Sequence, residues 1–250
     1  MIIVKSVDEI RRMRESGRVA ARVRDAVARM VTPGITTREL DAEAARLMAG
    51  MGARSAFLGY RGYPGNTCIS IDCEVVHGIP ADRRIEIGQI VSIDVGVIYD
   101  GFVGDTATTV MVGVSRPDVI SLVATTERAL AAGIAKAVPG GRLSDISHAI
   151  EQTAAGGGFS VVRNFVGHGV GRKMHEDPQI PNYGPAGTGP RLKVGMTLAI
   201  EPMVNMGVSE VDVQADGWTV LTADRKPSAH FEHTVAIGVA GPEILTLPGT

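Results

Sequence analysis

Four carboxylates and one imidazole, Asp94, Asp105, Glu201, Glu232 and His168, sit in or beside short apolar, strand-like runs of a 250-residue chain. A carboxylate carried into a packed interior is costly unless a cation compensates it. A chain that writes four of them into its strands therefore needs a fold that gathers them at one place. Gathered, the five would supply about the charge that two divalent cations need. Oxygen donors with a single nitrogen favour Mn, Co, Fe or Mg-like ions over a thiolate zinc site. The pattern predicts a two-metal hydrolase.

The local sequence supports convergence. Residues 89–97 and 102–112 are β-rich and flank Tyr99-Asp100-Gly101, a strong hairpin signal. A two-residue Asp100-Gly101 turn would pair Asp105 with Gly96, which shares a face with Asp94 because side chains alternate with period two. A Tyr99-Asp100 turn would set Asp94 directly opposite Asp105. Either way both carboxylates share a face, and like charges there are destabilising without a counterion. His168 lies in Gly167-His168-Gly169-Val170-Gly171, read as a loop whose glycines let backbone approach closely. No complete G-x-G-x-x-G is present, so dinucleotide binding is set aside. Glu201 follows an apolar run and precedes Pro202, and Glu232 opens into Thr234-Val235-Ala236-Ile237. His77 and His175 stand near Gly or Pro, where an imidazole can steady an oxyanion or position an amine.

Helices are expected from a Ser6/Glu9 capping box to about residue 30 and from Thr36/Glu39 to about 48, then over about 117–137 and 144–155. Residues 67–76 read as a strand. An internal repeat is visible: Pro33-Gly34 recurs as Pro139-Gly140 at an offset of 106, and Ile87-Gly88 to Asp94 recurs as Val194-Gly195 to Glu201 at an offset of 107. The second match sets Asp94 on Glu201. A duplicated α+β half is expected, with halves of roughly 1–113 and 114–250 in one domain. Composition narrows the classes: net charge is −2 without a basic block, two cysteines make no framework, and no apolar run approaches a membrane span of about 20 residues. No signal-peptide core precedes the first helix. A cytoplasmic globular protein with no nucleic-acid or membrane partner is the expectation.

The motifs together resemble type I methionine aminopeptidases of the short bacterial form. They are Gly59-Tyr60-Arg61-Gly62-Tyr63-Pro64, Val76-His77-Gly78-Ile79-Pro80, Ser92-Ile93-Asp94-Val95-Gly96, Gly104-Asp105-Thr106-Ala107, Gly167-His168-Gly169-Val170-Gly171, Ala199-Ile200-Glu201-Pro202 and Phe231-Glu232-His233-Thr234. The resemblance covers essentially the whole chain. It implies an α/β (α+β) pita-bread fold: two pseudo-symmetric halves, an antiparallel sheet around a dinuclear metal centre, and helices outside. It further implies a monomer that removes the initiator methionine from nascent chains, with a small second residue preferred and ribosome association as a further expectation. By motif, Asp94 would hold one of two divalent ions (Co, Mn, Fe or Zn), Asp105 and Glu232 would bridge both, and His168 with Glu201 would complete the set. Glu201 would shuttle protons, His77 would contact the scissile amide, and His175 would steady the oxyanion. Tyr60, Tyr63, Cys68, His77, His175 and Trp218 would bind the substrate. Asp72 and Ser228 would lie near a monovalent cation, K or Na.

Departures from the pattern are Asp72 where an amide is usual, Phe231 for a common Tyr, and Met174 and Phe57 for a common Phe and Cys. Two rivals compete. Proline-directed peptidases of this fold share the metal ligands but carry a sizeable extra N-terminal domain, whereas about 60 residues precede the first motif here. Non-catalytic relatives acting as binding modules lose ligands and gain basic surface, and this chain does neither.

Overall fold

The computed structural model describes residues 1–249. Helix α1 (Val7–Met30) starts where Ser6 Oγ accepts from the Glu9 N–H and the Glu9 carboxylate accepts from the Ser6 N–H. Helix α2 (Thr37–Gly50) starts on the same reciprocal pair, Thr36 with Glu39. Both boxes satisfy backbone donors that a helix start leaves free. The chain then forms β1 (Arg54–Ser55), β2 (Cys68–Ile71), β3 (Glu74–Val76) and the long hairpin β4 (Ile90–Tyr99) and β5 (Phe102–Met111). Residues 67–76 are thus two strands, not one. Asp72 turns the chain with φ 53°, an excursion that no glycine or proline announces.

The hairpin closes on Asp100-Gly101, both at positive φ (49° and 75°), as a two-residue turn matching strand twist requires. Asp105 pairs with Gly96 and Asp94 with Ala107, the first of the two registers considered above.

After α3 (Pro117–Lys136) and α4 (Leu143–Gly156) come short strands: β6 (Ser160–Val161), β7 (Gly167–Gly169), β8 (Glu176–Ile180), β9 (Thr197–Ile200), β10 (Met203–Asn205), β11 (Val211–Val213), β12 (Val220–Thr222), β13 (Ser228–His230), β14 (Glu232–Gly238) and β15 (Gly241–Ile244). Pro117 suits the first turn of α3, where its missing N–H would be unpaired anyway. His168 lies within a strand, correcting the loop expectation. Gly167 and Gly169 are glycines because a Cβ would strike the carbonyls of Ala199 (2.5 Å) and Asp177 (2.1 Å).

A nine-stranded antiparallel sheet runs β1-β4-β5-β14-β9-β7-β8, with β2 also on β4 and β15 on β14. The N-terminal strands meet the C-terminal ones where β5 pairs with β14. One hydrophobic cluster joins Val19, Val23 and Val27 of α1 and Leu40 of α2 to Val91, Ile93 and Val95 of β4. A second joins Leu122 of α3 and Ile150 of α4 to Leu198, Ile200, Val235 and Ile237. The helices therefore cover one face, and Asp94, offset by one residue from Ile93 and Val95, points to the other. This is the pita-bread arrangement expected above. Among the described residues, no helix is long and apolar enough to cross a membrane.

Candidate metal centre

Register delivers the carboxylates. Asp94 on β4 and Glu232 on β14 are each the partner of Ala107 on the intervening β5, so they flank that strand at one level. Asp105 lies two residues from Ala107 and shares its face. From the other side, His168 pairs with Ala199 and β9 ends immediately before Glu201. One ligand atom each from Asp105, His168 and Glu232 lies within 4.8 Å of the others. His168 Nε2 stands 3.6 Å from Asp105 Oδ2 and 3.4 Å from Glu201 Oε1. All five ligand candidates line one cavity of about 350 Å³.

Asp105, His168 and Glu232 are buried, while Asp94 and Glu201 keep an edge open to the cavity. Asp94 Oδ1, Asp105 Oδ1 and Glu232 Oε1 are buried with no hydrogen-bond donor. Their titration reflects that strain. Burial pushes Asp105 up to about 7. Burial, then the neighbouring carboxylates, pushes Asp94, Glu201 and Glu232 well above the usual range. His168 is held down at about 3 by burial and by nearby His175, leaving the neutral imidazole that a metal binds. Acceptor oxygens without donors, beside a neutral ring, fit divalent cations. The chemistry of the set matches hard or borderline divalent ions.

Next to the carboxylates the cavity turns apolar. Tyr63 and Trp218 meet edge to face at 5.1 Å between centroids, and His77 packs edge-on against Phe165 at 5.5 Å and Trp218 at 6.1 Å. Cys68 is buried and its thiol is pushed up by burial, then by Asp94, so it forms a neutral wall. Burial and His175 hold His77 down at about 4. The Tyr60 hydroxyl bonds His175 Nδ1 at 2.8 Å, and the His175 ring lies 4.3 Å from that of His168. Phe57 and Met174 line the cavity, whereas Phe231 is buried in the cluster beneath α3 and α4.

Asp72 and Ser228 lie outside this cavity. The Ser228 N–H donates to the Asp72 carbonyl at 2.8 Å, and Ser228 Oγ donates to Asn205 Oδ1 at 2.8 Å. The Asp72 carboxylate accepts from the Ile90 N–H at 3.0 Å. Sequence reasoning missed Phe165, Arg61 and Gln179, which line the cavity, and His230 and Asn182, which adjoin Glu201. Arg61, Phe165 and His230 were visible only as neighbours of ligand motifs; neither Gln179 nor Asn182 carries a spacing signal.

The metallopeptidase family M24 model matches residues 11–238. Methionine aminopeptidase 1 of Bacillus subtilis is 50% identical over 98% of this chain and 99% of its own. The methionine aminopeptidase of Thermotoga maritima superposes with a TM-score of 0.97 at 45% identity, covering 98% of this chain and 99% of that one. A prolidase from Pyrococcus furiosus reaches a TM-score of 0.80 at 25% identity, covering 99% of this chain and 66% of its own. With ligand register, cavity and full-length likeness in agreement, this chain belongs to the methionine aminopeptidases of metallopeptidase family M24.

Proposed function

We propose that the protein removes N-terminal methionine from peptides and nascent polypeptides, favouring a small second residue. The observation that carries this reading is the junction of five candidate ligand side chains with an apolar sleeve in one cavity. The sleeve of Tyr63, Cys68, Trp218 and Phe165 suits an unbranched thioether, which makes favourable sulfur–aromatic contacts. Asp94, Asp105, His168, Glu201 and Glu232 would hold two divalent ions. Bound there, the ions would polarise the scissile carbonyl and acidify water at neutral pH.

The remaining work falls to side chains. Glu201, partly open to the cavity, would accept a proton and return it to the leaving amine. His77, uncharged and walled by Phe165 and Trp218, would contact the scissile amide. His175, fixed through Nδ1 by Tyr60, would direct its other nitrogen to the developing oxyanion. Packing against Trp218 and Tyr63 would set the methionine side chain and hence the amide's place. Asp72 and Ser228 would bound the proposed monovalent cation site. The chain would act as a cytoplasmic monomer, meeting substrates as they leave the ribosome.

A panel of Met-Ala-Ser, Ala-Pro-Ser and Met-Pro tests the substrate. Release of methionine from Met-Ala-Ser is expected, with the proline-directed substrates poor. Preferred cleavage at proline would place the activity with the prolidases, and no cleavage with any divalent ion would leave only a binding role. His175→Ala should lower kcat by about 10²- to 10³-fold with a smaller change in KM, because oxyanion contacts form chiefly in the transition state. An unchanged kcat would remove His175 from that role.

A further inference from the structure

His230 ends β13 two residues before Glu232 and pairs with Met203 on β10. Its backbone is pinned from both sides by one hydroxyl. The His230 N–H donates to Thr109 Oγ1 at 3.0 Å, and Thr109 Oγ1 donates to the His230 carbonyl at 2.7 Å. The side chain is 2% exposed, and its Nε2 is buried with no hydrogen-bond partner. A polar ring atom is rarely left so without a use elsewhere.

Only one acceptor stands near that nitrogen among the charged groups of the described residues: Glu201 Oε2, at 3.9 Å. Glu201 Oε1 faces His168 Nε2 at 3.4 Å. The carboxylate is therefore set between two imidazoles, each addressing a different oxygen. The main chain there is also tethered, since Asn182 Nδ2 donates to the Glu201 carbonyl at 3.1 Å. A separation of 3.9 Å is longer than a hydrogen bond, and catalytic contacts of this kind commonly tighten in the working complex.

We propose that His230 is a positioning residue for Glu201. Its Nε2–H holds Oε2, the oxygen that is not the nearer one to His168, in the orientation needed to accept and return a proton. The inference rests on the proton-carrying reading of Glu201 given above. Thr109, itself hydrogen-bonded to Ser92 Oγ at 2.9 Å, ties the imidazole's strand to the hairpin that bears Asp94 and Asp105. The orientation of Glu201 is thus referred to the same framework as the metal ligands on the other half.

The test compares His230→Leu, His230→Gln and Glu201→Gln, alone and as the His230→Leu/Glu201→Gln pair, in enzyme loaded with Mn²⁺. Calorimetric Mn²⁺ titration and melting of the metal-free proteins accompany the kinetics. Groups that orient a metal ligand typically contribute about 10- to 100-fold to activity or metal affinity. His230→Leu should lower kcat by that factor, leave KM within about twofold and weaken Mn²⁺ binding, while metal-free melting does not fall. His230→Gln, whose amide N–H can reach the same oxygen, should recover most of the kcat and the affinity. In the Glu201→Gln background, His230→Leu should change Mn²⁺ affinity no further.

Unchanged kcat in His230→Leu, with Glu201→Gln inactive, would overturn the role of His230 alone. Full turnover in Glu201→Gln would overturn the reading of Glu201 and this inference together. Equal impairment of the Leu and Gln variants with lowered metal-free melting would assign His230 to packing and overturn the inference.

Discussion

Glu232→Ala is expected to reduce kcat/KM on a methionyl peptide by at least about 10³-fold, more than loss of a single oxyanion donor costs. Its carboxylate lies level with Asp94 across β5, and Oε1 has no protein donor. In the proposed site it would help hold the divalent ions, so its removal would cost metal binding as well as turnover. Asp94→Ala should behave alike. The metal-free fold should survive both changes, because burying the Glu232 carboxyl is costly and the neighbouring Asp105, Glu201 and Asp94 add to that cost. Circular dichroism and melting of the metal-free proteins check the fold. Near-native turnover in either variant would contradict the dinuclear reading.

Chelation carries the second large effect. A ligand that binds only the native state at 100 times its Kd stabilises it by about 2.7 kcal/mol. For a chain of this size each kcal/mol moves Tm by roughly 2–4 °C. Adding Mn²⁺ to metal-free protein should therefore raise Tm by roughly 5–10 °C, and EDTA should reverse the gain. Glu232→Ala should lose most of that increment. A melting curve indifferent to metal would mean that the unpaired oxygens of Asp94, Asp105 and Glu232 find their compensation elsewhere.

Much of this arrangement was legible because local chemistry and fold agree. Ser6/Glu9 and Thr36/Glu39 cap real helices, and Asp100-Gly101 supplies the positive φ angles that fix the hairpin register. That register puts Asp94 and Asp105 on one face. The repeat set Asp94 on Glu201, and the fold gives each a place at the cavity, one within β4 and the other just after β9. The illegible parts have physical reasons too. Asp72 turns the chain at φ 53° without glycine, so β2 and β3 read as one strand. Gly167 and Gly169 disguise β7 because tight carbonyl contacts, not flexibility, demand them. His230 earned no notice because its significance lies in Glu201, 29 residues away in sequence and 3.9 Å away in space.

In the proposed site, these five side chains would hold two divalent ions that make the cavity a methionine-removing site. Titrating metal-free protein with Mn²⁺, while following both bound metal and methionine release from Met-Ala-Ser, tests it most directly. Saturation at two ions per chain, with activity appearing as the carboxylate set fills and absent in Glu232→Ala, is the predicted result. Full activity in metal-free protein, or metal binding that Glu232→Ala leaves untouched, would contradict it.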